Sequence, residues 1–359
     1  MKILISIGTR PEVIKMMPIL IGLKKRKIDT FFLYTGQHRD LARPLFNYFN
    51  IYPDVDLDIM KENQSISYIT ASILTQIERI LIKEKPDIVL VHGDTSTTFV
   101  SALAAFYQKI PVAHIEAGLR THNIYSPFPE ELNRTLVSKI ASFHFAPTKI
   151  NFKNLIDDGV DENNIIITGN TVIDAVKEVA STLKSKKENK ILITIHRREN
   201  LGTPMINICN AVKEIADTYS NYQITIPMHP NPKVREIIKS ILEKVQNVNL
   251  IEPLDYVDFI QEMISSKIIL TDSGGIQEEA PAFNIPVVIL REETERIEGV
   301  NAGTLIMVGT SKEKIINITK KLLEDKNYYN KIAKAENPYG EGDSSKKIID
   351  FIIDKLGEK

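Results

Sequence analysis

One cysteine, Cys209, occurs in 359 residues, so the chain can form neither an intrachain disulfide nor a cysteine-based zinc site. An excess of charge of one sign is also missing: 45 Lys and Arg stand against 46 Asp and Glu, a formal net of -1. Without a basic stripe, nucleic acid and anionic membrane surfaces are not suggested as partners. No apolar run is long enough to cross a bilayer, and the N-terminus is expected to enter a strand directly, without a signal peptide. A cytoplasmic protein is the expectation. HExxH, an aspartate-rich metal loop and GxSxG are all absent, so a metalloprotease or serine hydrolase is not supported and no metal is expected. The turn Gly8-Thr9-Arg10-Pro11 carries a single glycine, which fits neither the dinucleotide fingerprint nor a P-loop. A nicotinamide enzyme is therefore disfavoured, and no cofactor is expected.

What remains is ordinary for a soluble globular protein: 43% hydrophobic and 25% charged residues, in a chain long enough for two domains. Short apolar runs read as strands at Met1 to Ile7, Phe31 to Thr35, Asp87 to Val91, Val112 to Ile115 and Ile165 to Thr168. Amphipathic helical segments alternate with them, the mark of βα units in a parallel sheet. Lys184 to Lys190 has no apolar residue and reads as a linker or an exposed helix end. The pattern then restarts with strands at Ile191 to Ile195, Gln223 to Ile226, Val248 to Ile251, Ile268 to Leu270, Val287 to Leu290 and Leu305 to Val308. Two doubly wound Rossmann-like domains follow, residues 1–170 and 191–340, joined by a linker region at 171–190. In such sheets ligands bind beyond the carboxyl ends of the strands, so the site is expected in a cleft between the two domains.

The unusual polar clusters fall at those carboxyl ends. Thr271-Asp272-Ser273-Gly274-Gly275-Ile276-Gln277-Glu278-Glu279 follows a buried strand and enters a short helix, with Pro281 placed near its first turn. Backbone N–H groups at a Ser-Gly-Gly turn suit an anion, glycine permits close approach, and Glu279 one turn on suits a ribose. A nucleotide diphosphate is the ligand suggested; an ordinary strand–helix turn is the alternative. Gly8 to Glu12 follows the first strand, with Arg10 and Lys15 placed to face phosphate or solvent. Asp94, after His92-Gly93, is either a helix N-cap or a carboxylate that handles a proton. Glu116 ends a buried strand, where an unpaired carboxylate is costly, so it either works in a site or pairs with Arg120. Pro127-Phe128-Pro129-Glu130-Glu131 opens a helix, and acids there suit its positive end whatever else Glu130 does. His196-Arg197-Arg198-Glu199-Asn200 offers an acid or a ligand clamp, its cations facing phosphate or Glu199. His229-Pro230-Asn231-Pro232 is a rigid turn. Phe259 suits stacking on a base or packing of its helix.

Taken together, Gly8-Thr9-Arg10-Pro11-Glu12 with Lys15, Gly93-Asp94-Thr95, Glu116 to Arg120, Pro129-Glu130-Glu131 with Asn133-Arg134, His196 to Asn200 and Thr271 to Glu279 closely resemble the non-hydrolysing UDP-N-acetylglucosamine 2-epimerases. The resemblance runs to Asn337-Pro338-Tyr339-Gly340 near the C-terminus. It implies a glycosyltransferase-B-like fold, a homodimer, UDP-N-acetylglucosamine and UDP as ligands, and a C-terminal helix, 341–359, that packs back on the N-terminal domain. By the same resemblance Ser273, Gly274 and Gly275 hold the diphosphate, Glu279 the ribose, Phe259 lies near the uracil and Arg10 faces phosphate. Asp94, Glu116 and Glu130 are the implied acid/base groups, with Lys15 and His196 beside them. Bacterial members also bind a second substrate molecule as an activator. Gln37 and His229 match positions used there, whereas Asp40 and Asn63 depart from the Gln and Arg typical of that site.

The chemistry suits these residue types. The C2 hydrogen of the sugar is barely acidic until UDP departs from C1 and leaves that carbon cation-like. A carboxylate then removes the proton, giving 2-acetamidoglucal, and UDP adds back once the proton returns to the other face. A hydrolysing epimerase, a glycosyltransferase of the same fold, and a nucleotide-sugar-binding regulatory protein without turnover are the competing readings.

Overall fold

The computed structural model describes residues 1–37, 39–60, 64–184 and 186–357. The chain forms two compact units, Met1–Ala175 with Tyr339–Lys359, and Val176–Pro338. In the first, β1 (Lys2–Ile7), α1 (Arg10–Lys25), β2 (Asp29–Tyr34), α2 (Arg39–Phe49), β3 (Val55–Asp56), α3 (Ile66–Glu84), β4 (Ile88–His92), α4 (Ser96–Tyr107), β5 (Val112–Ile115), α5 (Glu130–Ile140), β6 (Phe143–Ala146), α6 (Lys149–Asp157) and β7 (Ile165–Ile167) alternate along the chain. They build a parallel seven-stranded sheet in the order β3-β2-β1-β4-β5-β6-β7. Its central strands are apolar on both faces; Ile3, Leu4, Ile5, Val89, Leu90 and Val91 are fully buried, as a sheet covered by helices on both sides requires.

The crossing between the units falls inside α7 (Thr171–Thr182), a continuous helix where a linker region at 171–190 was expected. The second unit runs β8 (Lys190–Thr194), α8 (Thr203–Thr218), β9 (Gln223–Pro227), α9 (Pro232–Leu242), β10 (Val248–Ile251), α10 (Tyr256–Ser265), β11 (Ile268–Thr271), α11 (Gly274–Glu279), β12 (Val287–Ile289), α12 (Ile297–Ala302), β13 (Leu305–Met307), α13 (Lys312–Glu324) and α14 (Lys326–Ala333). Its parallel six-stranded sheet has the order β10-β9-β8-β11-β12-β13. After Pro338 the chain returns to the first unit as α15 (Ser344–Gly357), which packs on α1; Phe351 meets Phe143 and Phe145 edge-on, and Arg26 pairs with Asp350 at 2.6 Å.

Both sheets are doubly wound, the fold class expected. Each reverses its strand order at one place, between β1 and β4 in the first and between β8 and β11 in the second. Loops leaving the carboxyl ends of the two strands at such a reversal splay apart and leave a ligand crevice. Gly8 to Lys15 and His92 to Thr95 flank the first crevice; His196 to Asn200 and Ser273 to Glu279 flank the second. No helix among the described residues is long and apolar enough to cross a membrane.

Candidate active site

In the first unit the site is built around partly buried carboxylates, the Glu116 side chain 17% and that of Asp94 29% exposed. Glu116 leaves β5 in a left-handed backbone conformation, φ 61°, which costs a residue with a side chain about 1 kcal/mol or more. Its carboxylate is gripped by the Lys15 ammonium from α1 and by the Asn170 side-chain amide, which donates at 2.8 Å. His92 Nε2 lies 3.8 Å away. Burial disfavours the charged form of Glu116, but Lys15, His92 and Asn170 outweigh it and hold the carboxyl below its ordinary range. Burial pushes His92 down to about 4, so its ring is neutral near pH 7. Arg120, the sequence candidate for pairing with Glu116, instead bonds Asp158 at 2.8 Å and Ser138 at 2.8 Å.

Asp94 is not the N-cap of α4. Thr95 holds that position, its hydroxyl accepting from the Thr98 N–H. Asp94 is thereby left to pair with Arg134 at 2.8 Å, while Asn133 donates to the Asp94 carbonyl at 2.9 Å. Both partners come from one turn of α5, which begins at Glu130. Burial raises Asp94 to about 6; Arg134 pulls against this, and Glu116 and Glu130 add repulsion. The structure thus brings Lys15, Asp94, Glu116 and Glu130 into one electrostatic group. The adjacent Glu131 plays a different part, buried and accepting the N–H groups of Thr121 and His122.

Arg10 is the first residue of α1 and half-buried. Gln37 accepts from the Thr97 hydroxyl at 2.7 Å, over a Gly8 whose Cβ, were there one, would lie 2.7 Å from Gln37 Oε1. Asp40 is exposed on α2, and Asn63 lies outside the described residues.

In the second unit Asp272, with none of its side chain exposed, follows β11 and reaches across to the loop after β8. It accepts from the His196 ring Nδ1 at 3.0 Å, from the His196 and Arg197 backbone N–H groups, and from the Asn200 amide at 3.0 Å. A carboxylate on Nδ1 fixes the ring and leaves Nε2 for other work. The His196 and His229 rings stack with centroids 5.7 Å apart. Ser273 caps α11 through its backbone without a side-chain bond, and Gly274 is close to Arg296, which pairs with Glu278 at 3.0 Å. Glu279 is buried at the last residue of α11, more than a turn past the helix start. Pro281 lies beyond that helix, in the following 3-10 turn Ala280–Phe283, because α11 is only six residues long. Phe259 is half-buried in the first turn of α10. Among the described residues no group of three or more His, Cys, Asp and Glu could hold a metal ion.

The sequence shows Arg134, Asp272 and Asn200 only as motif letters, and it gives no sign of Asn170 or of what His92 and Glu12 do. Polar residues at the ends of fully buried strands were the available signal, because such groups stay only when partnered.

Comparison with known proteins shows the family of the chain. A family model described as UDP-N-acetylglucosamine 2-epimerase matches residues 22–353. The chain belongs to the UDP-N-acetylglucosamine 2-epimerase family. It is 47% identical to the UDP-N-acetylglucosamine 2-epimerase of Neisseria meningitidis, over 98% of this chain and 99% of that protein. The crystal structure of a UDP-GlcNAc 2-epimerase from Neisseria meningitidis bound to UDP-GlcNAc is similar with a TM-score of 0.87 and 46% identity, covering 99% of this chain and 100% of that one. An archaeal member, the Methanocaldococcus jannaschii UDP-GlcNAc 2-epimerase in complex with UDP-GlcNAc and UDP, gives 0.77 at 36% identity, covering 98% and 99%. Epimerases of this family thus share both the fold and nearly the full length of this chain.

Proposed function

We propose that this protein interconverts UDP-N-acetylglucosamine and UDP-N-acetylmannosamine by inverting the sugar at C2, without a redox cofactor. One observation carries the chemical part of the reading. Glu116 and Asp94 sit in one crevice with their proton affinities pushed in opposite directions, Glu116 held charged and Asp94 raised to about 6. Carboxyls driven apart in this way are suited to act as base and acid in the same turnover.

In this reading UDP leaves C1 with the bonding electron pair, a carboxylate takes the C2 proton, and the C1–C2 double bond of 2-acetamidoglucal forms. A second carboxyl then delivers a proton to the opposite face of C2 as UDP re-adds to C1. Glu116, Asp94 and Glu130 supply these groups, and the Lys15 ammonium accommodates the charge changes at Glu116. Arg10, His196 and the Ser273-Gly274-Gly275 turn receive the departing diphosphate, Glu279 the ribose, and Phe259 the uracil. Family membership and the relatives solved with UDP-GlcNAc and UDP support this assignment. A second nucleotide sugar engaging Gln37 and His229, a homodimeric state and a cytoplasmic setting belong to the same proposal.

Proton NMR of the purified protein with UDP-N-acetylglucosamine in deuterated water tests it. UDP-N-acetylmannosamine carrying deuterium at C2 is the expected product. Free N-acetylmannosamine with UDP would mean a hydrolysing enzyme instead.

A further inference from the structure

We propose that Asn170 is a positioning residue through which the returning C-terminal segment holds the Glu116 carboxylate in place. This rests on the reading that Glu116 handles the C2 proton.

Asn170 is 4% exposed, and both ends of its amide are engaged. Its Oδ1 accepts from the Val172 N–H at 3.0 Å, at the start of α7. That bond fixes which way round the amide lies, so the group facing Glu116 is the Nδ2 donor, at 2.8 Å. Its own backbone N–H donates to the Tyr339 carbonyl at 2.7 Å, just where the chain re-enters the first unit. One residue thus joins a reacting carboxylate to a segment far along the chain.

The contact with that segment is tight by construction. Gly169 and Gly340 both have positive φ, 86° and 100°. A Cβ on Gly169 would lie 2.8 Å from the Tyr339 carbonyl oxygen and 3.3 Å from the Gly340 Cα, so backbone meets backbone with no room for a side chain. Beyond it, the Ser344 and Ser345 N–H groups at the start of α15 donate to Asp174 on α7, at 3.2 and 2.8 Å. The rest of α15 lies against α1, where Gly22 leaves space for Ile349, and α1 carries Lys15. Both donors to Glu116, Lys15 and Asn170, therefore stand on elements that residues 339–357 hold.

An N–H donated to a carboxylate favours its charged form. Lys15, His92 and Asp94 are the titratable groups that face Glu116, and Asn170 is its uncharged donor. Removing that donor leaves Glu116 protonated to a higher pH, and also less well aimed.

The test measures kcat and KM against pH for the wild type, Asn170→Leu, Gly340→Ala and the double variant, with folding checked by circular dichroism. Asn170→Leu is expected to lower kcat near neutral pH by about tenfold, to move the acid limb of kcat up by roughly one pH unit, and to leave KM unchanged. Gly340→Ala should move the limb in the same direction through Tyr339, and adding it to Asn170→Leu should cause no further shift. A folded Asn170→Leu variant with the wild-type acid limb and kcat overturns the proposal. If Asn170→Leu does not fold, Gly340→Ala decides: a wild-type profile there overturns it. A wild type that does not epimerise would instead remove the functional reading, a distinct result.

Discussion

Asp272 and His196 are joined twice, once through the imidazole Nδ1 at 3.0 Å and once through the His196 backbone N–H at 2.9 Å. The pairing ties the end of β11 to the loop after β8 across the strand-order reversal of the second sheet. Asp272 is wholly buried, and burial opposes its charge; His196 and the donated N–H groups more than offset this and hold it below the ordinary 3.8. A carboxyl whose folded-state value is depressed adds stability that is present above the unfolded value and lost as pH falls through the folded one. Asp272→Asn sets an NH2 against donors that need an acceptor. It should cost about 3 kcal/mol of stability at neutral pH, with the deficit shrinking as pH drops below the carboxyl range. Thermal unfolding across pH checks this, and a deficit independent of pH would show that the charge is not what matters.

Asp94 gives a separate expectation. Asp94→Asn keeps the shape of the group but cannot exchange a proton, so turnover should fall by a factor of about 100 or more while UDP affinity is unchanged. Arg134→Gln removes the cation that pulls Asp94 down, so Asp94 should rise further above about 6 and carry its proton to higher pH. The pH profile of kcat/KM reads this directly; an unmoved profile removes Asp94 from the steps that set it.

The fold was largely legible because parallel strands buried on both faces leave continuous apolar runs such as Val89-Leu90-Val91. Two strands were missed for physical reasons. β3 has only two residues at a sheet edge, and β6, Phe143–Ala146, interrupts its apolar run with the buried His144. The motif letters at the strand ends were legible too. Their pairings were not: Lys15 and Glu116 are 101 positions apart, and Arg120, near Glu116 in sequence, goes to Asp158. Partners across a doubly wound sheet depend on strand order, which local periodicity does not carry.

Glu279 is buried at the end of α11, and resemblance to the family implies that it holds the ribose. Glu279→Ala should weaken UDP binding by about tenfold, the worth of a hydrogen bond to a charged group, with turnover at saturating substrate much less affected. Titration calorimetry with UDP measures it, and unaltered affinity would sink the ribose assignment.

Glu12 yields the sharpest pH prediction because it is buried among hydrogen-bonding groups that carry no charge. Its Oε2 accepts from the Gly8 and Thr9 N–H groups at 3.1 and 2.7 Å, and its Oε1 lies 2.9 Å from the Thr95 hydroxyl and 3.1 Å from that of Thr98. One carboxyl therefore binds the loop after β1, which leads into Arg10 at the start of α1, to the loop after β4, which carries Asp94. The Thr98 hydroxyl already donates to the His92 carbonyl at 2.5 Å, so its contact with Glu12 is best made when Glu12 has a proton to give. Burial accordingly raises Glu12 to about 6 from 4.5, against the pull of its hydrogen bonds. Between those values the folded state holds more of the proton than the unfolded state, so this group's contribution to stability declines as pH rises from 4.5 through about 6. Gln keeps a carbonyl oxygen for the Gly8 and Thr9 N–H groups, turns an NH2 donor toward the Thr95 and Thr98 hydroxyls, and does not titrate. Glu12→Gln should therefore gain on the wild type by about 2 kcal/mol as pH rises through this window, and level off above it. Denaturant unfolding of both proteins between about pH 4 and pH 8 gives the difference, and a flat difference would mean that Glu12 folds with its ordinary proton affinity.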